Sequence, residues 1–138
     1  MQHELRADFL PVTNDSSDFW NGCADGQLLL RHCTLCELLF HYPRLCCPRC
    51  GGQALDWRVA AGTGVVYSHT TVHVPFNGPE WSDQLPYTVL LVELSEGPKM
   101  LSRLAPGESG DVHSGDRVVV EFFTIGERTL PLFRLDQR

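Results

Sequence analysis

The sequence holds no run approaching the ~20 unbroken apolar residues that a membrane-spanning helix needs. This argues against a chain that crosses a membrane on helices. Its first residues, Met1-Gln2-His3-Glu4-Leu5-Arg6-Ala7-Asp8, lack the basic start and apolar stretch of a secretory signal, so a cytoplasmic setting is expected. Positive charge is scarce too. Eleven Lys and Arg stand against 17 Asp and Glu, for a net charge of −6, and the basic footprint of a duplex-binding protein is missing. Low-complexity composition is absent as well: 43% of the residues are hydrophobic and only 20% are charged, enough apolar material for a packed core. The 138 residues fit one ordinary domain, or one small core with an appendage.

Cysteine is what the chain has in excess. In a cytoplasmic setting six cysteines argue for reduced thiols over disulfides. Cys33-Thr34-Leu35-Cys36 and Cys47-Pro48-Arg49-Cys50 form two C-x2-C pairs ten residues apart. Each pair fits a tight turn whose sulfurs converge, and two such turns supply the tetrahedral thiolate set of a structural Zn2+ site with no open position. Iron suits the same tetrahedron. Cys46 offers a rival three-residue spacing to Cys50, and Cys23 has no partner at ligand spacing and is expected to be a small buried residue. Pro48 stiffens the second turn, and Gly51-Gly52 let the backbone leave it. A closed four-sulfur site performs no chemistry; it lets a segment too small for its own core fold.

The chain divides into three parts. Residues 1–27 are a lead-in and a short helix, starting at Asp15-Ser16-Ser17-Asp18 with Asp15 as a capping candidate. This helix carries Phe19-Trp20, two aromatics suited equally to the protein's own core and to a partner. Residues 28–58 form the cysteine ribbon, entered by a strand at Leu28-Leu29-Leu30 and left by one at Ala54-Leu55-Asp56-Trp57. There Arg31, Arg44, Arg49 and Arg58 outnumber Glu37 and Asp56; they are either a solvated face or donors for phosphate and carboxylate.

Residues 59–138 are almost entirely β. Strands are expected from Thr63 to Val74, Tyr87 to Leu94, Lys99 to Leu104 and Arg117 to Ile125, with a short closing strand at Pro131-Leu132-Phe133. The apolar run Tyr87–Leu94 suggests a strand covered on both faces. Five β segments in ~80 residues, with no second helix, predict a small Greek-key barrel of the OB type, with a small sandwich as the competing arrangement. The Pro75–Pro86 loop, carrying Phe76 and Trp81 and followed by Tyr87, is placed where such barrels contact ligands.

No catalytic constellation stands out. His69 and His73 share strand parity but would lie about 13–14 Å apart, too far to bind one ion directly. His32, His41 and His113 fall near loops and knuckles, where solvated side chains are the rule. No Ser/His/Asp set, phosphate loop or carboxylate pair is evident.

Read in order, Phe19-Trp20, Leu28–Leu30, the Cys33/Cys36 pair, Pro43-Arg44, Cys47-Pro48-Arg49-Cys50, Trp57 and Gly62-Thr63-Gly64-Val65-Val66-Tyr67-Ser68 form a recognisable series. It continues through Pro86-Tyr87, Val92-Glu93-Leu94-Ser95-Glu96-Gly97-Pro98, Gly115-Asp116-Arg117-Val118 and Leu130-Pro131-Leu132-Phe133. This series resembles the rubredoxin-like zinc-ribbon plus OB-fold family, long a domain of unknown function, from about residue 18 to residue 135. Two departures are visible: Glu37 follows Cys36 where the family usually has Gly, and Cys46 is extra. The resemblance implies a mainly β fold: a short N-terminal helix, a zinc ribbon and a five-stranded OB barrel. It also implies a non-catalytic accessory subunit of thiolase-superfamily complexes acting on acyl-CoA thioesters by acyl transfer, condensation or retro-aldol cleavage, including sterol side-chain breakdown. In such complexes the ribbon–barrel subunit bridges enzyme dimers and shapes the acyl-CoA channel, and the catalytic residues lie on the partner. Cys33, Cys36, Cys47 and Cys50 are then the metal ligands. Arg44 and Arg49 become candidates for CoA phosphates, and Phe76 and Tyr87 for the pantetheine or acyl path. The alternative is a single-stranded nucleic-acid module, since ribbons and OB barrels both serve that role. Against it, residues 80–116 carry seven acids but only Lys99 and Arg103 as bases.

Overall fold

The structure, a computed structural model, describes residues 12–75, 78–108 and 111–136. The chain begins with helix α1 (Ser17–Ala24), followed by β1 (Leu29–Cys33), β2 (Leu39–Phe40) and β3 (Leu55–Val59). Then come β4 (Thr63–Val72), a 3-10 helix (Pro79–Gln84), β5 (Tyr87–Leu94), β6 (Lys99–Arg103), β7 (Arg117–Ile125) and β8 (Arg128–Leu135). The fold is mainly β, as the sequence leads one to expect.

The helix starts one residue later than its acidic cluster suggests. Ser16 takes the N-cap position without a side-chain cap bond. Asp15 does not cap, because its carboxylate accepts from the Thr13 hydroxyl instead. Phe19 and Cys23, four residues apart, share the inward face and are 4% and 1% exposed. Trp20 stands edge-on to Phe19 at 5.1 Å and packs against the same core, so both aromatics serve the protein's own interior.

Strands β2, β1 and β3 form an antiparallel sheet in that order, with Arg31 opposite both Phe40 and Trp57. The second sheet runs β6-β5-β4-β7-β8. It closes where Leu104 meets Phe133 in parallel and the Ala105 amide donates to the Phe133 carbonyl at 2.7 Å. Relative to the barrel's own five strands, the first pairs with the second and fourth, and the third meets the fifth in parallel. That is OB topology, and a two-sheet sandwich is excluded. A bulge between Val66 and Ser68 bends the first barrel strand, and Tyr67 points outward there. Gly64 sits where β4 is paired on both sides, and a Cβ there would lie 2.5 Å from the Glu93 carbonyl oxygen.

Two expectations need correction. Tyr87–Leu94 is not covered on both faces: Thr88, Leu90, Val92 and Leu94 are buried, and the residues between them are half-exposed. Its outward apolar residues made the run look doubly buried. The closing strand is also longer than Pro131–Phe133, because polar Arg128, Thr129 and Arg134 extend the pairing to β7 at both ends.

One core joins ribbon and barrel. Phe19, Cys23, Leu28 and Leu30 belong to the same cluster as Val66, Leu90, Val92, Leu94, Met100, Val118 and Phe133. Polar ties add to it: Trp57 Nε1 donates to Asp18 of α1 at 3.1 Å, and the barrel's Leu101 amide donates to the ribbon's Tyr42 hydroxyl at 3.2 Å.

Candidate metal centre

The four sulfurs of Cys33, Cys36, Cys47 and Cys50 lie within 4.8 Å of one another. The Cys33–Cys50 and Cys36–Cys47 sulfur pairs are each 3.6 Å apart, too far for a disulfide. A tetrahedron with Zn–S near ~2.3 Å has edges of about 3.8 Å, so the spacing suits a four-thiolate ion site. Among the described residues no other group of three or more His, Cys, Asp or Glu side chains is placed to hold an ion. All four positions are filled by protein, so an ion here would hold the ribbon together and offer no vacancy to a substrate.

The two knuckles are built alike. The Cys33 amide donates to the Leu38 carbonyl and the Cys33 carbonyl accepts from the Glu37 amide, at 2.9 and 2.8 Å. The Cys47 amide donates to Gly52 and its carbonyl accepts from Gly51, at 2.8 and 2.9 Å. Glu37 and Gly51 therefore occupy the same place, and both are left-handed, with φ of 68° and 76°. Glycine does this without cost, whereas a glutamate is strained there. The departure at Glu37 thus leaves the turn as tight as its partner, held at the expense of backbone strain.

Backbone amides tune the sulfurs. Arg49 and Cys50 aim their N–H groups at the Cys47 sulfur at 3.4 and 3.5 Å, and Gly52 aims its own at Cys50 at 3.4 Å. The Leu38 amide, followed by the Arg49 side chain and the Cys47 and Cys33 thiols, holds the Cys36 thiol down to about 6. The Gly52 amide favours the Cys50 thiolate, but the neighbouring sulfurs of Cys33, Cys36 and Cys47 raise its pKa to about 11. Such a cluster binds a cation by exchanging protons for it.

Residues around the centre hold it in shape. The Arg49 guanidinium donates to the Cys36 carbonyl at 2.9 Å, tying the second knuckle to the first. His32, expected to be solvated, is 5% exposed. Its ring faces Asp56 on β3 at 3.0 Å and Glu37 at 3.3 Å, so it links the sheet to the first knuckle. The parity of β1 carries that signal, since His32 shares a face with buried Leu30. His41 is half-buried between Phe19 and Tyr42, with ring centroids 5.3 and 4.2 Å away and its Nδ1 out of contact with water. His113 and His69 are exposed, and His73 falls just past the end of β4.

The remaining candidates are scattered. Cys23 is buried in the core, and burial pushes its thiol up to about 12. Cys46 is exposed and outside the cluster, so Cys47 supplies the ligand beside it. Arg31 stacks over Trp57 at 4.2 Å, Arg58 pairs with Asp56 at 3.3 Å, and Arg44 is exposed. Tyr87 is half-buried under the Arg103 guanidinium, 4.8 Å from its ring centroid. Phe76 lies outside the described residues.

Residues 20–56 match the rubredoxin-like zinc ribbon domain of ChsH2, and residues 57–123 match the ChsH2 C-terminal OB-fold domain. The chain is also similar to a solved structure described as an Ltp2-ChsH2(DUF35) aldolase. The likeness has 34% identity and a TM-score of 0.79, covering 90% of this chain and 96% of that one. This chain belongs to the ChsH2 (DUF35) zinc-ribbon and OB-fold family. Family membership and the clustered sulfurs together support structural zinc at the four-cysteine centre. A probable enoyl-CoA hydratase alpha subunit of Thermomonospora curvata is 37% identical over 126 residues. That match takes in 90% of this chain but only 39% of the relative's length. A DUF35 domain-containing scaffold protein of Methanothermobacter thermautotrophicus is 29% identical over 96 residues, 69% of this chain and 71% of that protein. Among the described residues no helix is long and apolar enough to cross a membrane.

Proposed function

We propose that this chain is a non-catalytic accessory subunit of a thiolase-superfamily complex that processes acyl-CoA thioesters. The complex performs acyl transfer, condensation or retro-aldol cleavage, with sterol side-chain degradation as one setting. One observation carries the reading: the likeness to the Ltp2-ChsH2(DUF35) aldolase extends over nearly that whole chain and most of this one. The site chemistry agrees with it. A closed four-thiol centre fixes a ribbon against a barrel and presents a surface, leaving the bond-breaking steps to the partner.

In this reading zinc is scaffolding, and the ribbon–barrel unit helps assemble the complex and shape the acyl-CoA channel. In this reading exposed Arg44 and Arg49 meet CoA phosphates; Arg49 gives one nitrogen to Cys36 and has other donors for an anion. Tyr87 lines the pantetheine or acyl path in this reading, a role it shares with Phe76.

The test is reconstitution. The zinc-loaded chain is mixed with a thiolase-like protein from the same source, and native mass and acyl-CoA turnover are followed. A stable heteromeric complex with turnover that neither component shows alone is expected. A chain that stays a lone monomer and leaves the partner's activity unchanged sinks the proposal.

A further inference from the structure

In the most acidic part of the chain, the carboxylates among the described residues leave one guanidinium unpaired. Residues 80–116 hold seven acids and two bases, Lys99 and Arg103. Several of those acids are committed to the backbone instead. Glu96 accepts from the Ala61 amide, Glu108 from the Leu135 amide and Asp116 from the His113 amide, at 2.8 to 2.9 Å. Glu93 stands opposite Lys99 in the ladder between β5 and β6. Among the described residues, none of the carboxylates forms an ion pair with Arg103.

Arg103 ends β6, opposite Val89. Its guanidinium carbon lies over the Tyr87 ring, 4.8 Å from the centroid, and one terminal nitrogen donates to Gln84 Oε1 at 3.1 Å. Gln84, at the end of the 3-10 helix, is 3% exposed, so the acceptor that holds this nitrogen is itself buried. The Arg103 Nε is buried without a hydrogen-bond partner. Burial draws the guanidinium down from its ordinary pKa, with the Tyr87 side chain acting in the opposite sense. A cation removed from water with no counter-ion is costly. Its stacking and its fixed fork are the arrangement that suits a planar or tetrahedral oxyanion.

We propose that Arg103, oriented by Tyr87 and Gln84, is an oxyanion-binding site on the barrel for a phosphate or carboxylate group of a small ligand. It is independent of the four-cysteine centre and of the identity of any protein partner.

The folded, zinc-loaded chain is titrated with inorganic phosphate and separately with acetate, with sodium chloride at matched ionic strength as the control. Backbone amide resonances of Gln84, Tyr87 and Arg103 are followed. Saturable shifts at these positions with either anion, absent with chloride, are expected; a preference for phosphate assigns a phosphoryl-bearing ligand and a preference for acetate a carboxylate. Arg103→Met is expected to weaken the response at least tenfold. That variant should also unfold at a temperature no lower than the parent, because it removes a half-buried charge that meets no carboxylate among the described residues. Three results overturn the proposal. The first is no saturable response to either anion; the second is an Arg103→Met protein that binds as tightly as the parent. The third is a loss of thermal stability in that variant together with no anion response in the parent, which marks Arg103 as structural.

Discussion

His41 shows how one side chain changes meaning when its surroundings are known. Near the knuckles in sequence it reads as a solvated imidazole, but the fold encloses it between Phe19 and Tyr42, and its Nδ1 is buried without a partner. Burial lowers its pKa to about 4. An unfolded histidine titrates near ~6.5. Between those values the unfolded chain binds the extra proton and the folded chain does not, so stability falls as pH falls through that window. Urea midpoints of the zinc-loaded protein are expected to drop between pH 7 and pH 5.5, and His41→Phe should flatten that slope. An unchanged slope in the variant would assign the acid sensitivity to other groups. Cys23 was readable from sequence as a buried residue because it has no partner at ligand spacing. His32 was missed because its partners, Asp56 and Glu37, are joined to it only by strand pairing and the knuckle turn.

At the scale of elements, the two knuckles are one hydrogen-bonded design written twice, once with glycine and once with Glu37. A non-glycine residue at positive φ costs about 1–3 kcal/mol, and the contact of its exposed carboxylate with the His32 ring returns at most about 1 kcal/mol. Glu37→Gly is therefore expected to stabilise the zinc-loaded chain by about 1 kcal/mol, measured by chemical denaturation at fixed zinc. Destabilisation would mean that the His32 contact outweighs the strain. The strand pattern was legible for the same local reason that the knuckles were: β5 and β7 span the segments that their β-branched and apolar residues predict. Helix capping was less so, because Asp15, Ser16 and Ser17 are all competent caps, and a hydroxyl two residues away took the best one. The 3-10 helix at Pro79–Gln84 escaped notice because Pro79 with the flanking Pro75, Gly78 and Pro86 reads only as a loop.

For the whole molecule, the consequential feature is that ribbon and barrel share a core through α1. A ribbon that hung freely would unfold alone when its metal was removed. Here, stripping zinc with a strong chelator is expected to release more than the ribbon. Amide signals from residues 28–58 should collapse towards unfolded positions, and the unfolding temperature of the remaining barrel should fall by several degrees. Metal analysis should return one zinc per chain beforehand. A barrel whose melting is indifferent to chelation would show that the shared cluster carries little coupling.

What the sequence determined by itself was everything set by neighbours along the chain. Two C-x2-C turns converge because backbone amides a few residues away reach their sulfurs, and alternation of apolar residues assigns strands without reference to their partners. What only the tertiary structure decided depends on residues brought together from far apart. It chose the barrel over the sandwich through the Leu104–Phe133 closure, and it turned Phe19 inward. It buried His32 and half-buried His41, and it left Arg103 stacked on Tyr87 without a carboxylate among the described residues. Burial and charge pairing are properties of the packed chain, and no local pattern encodes which acid a buried cation will fail to meet.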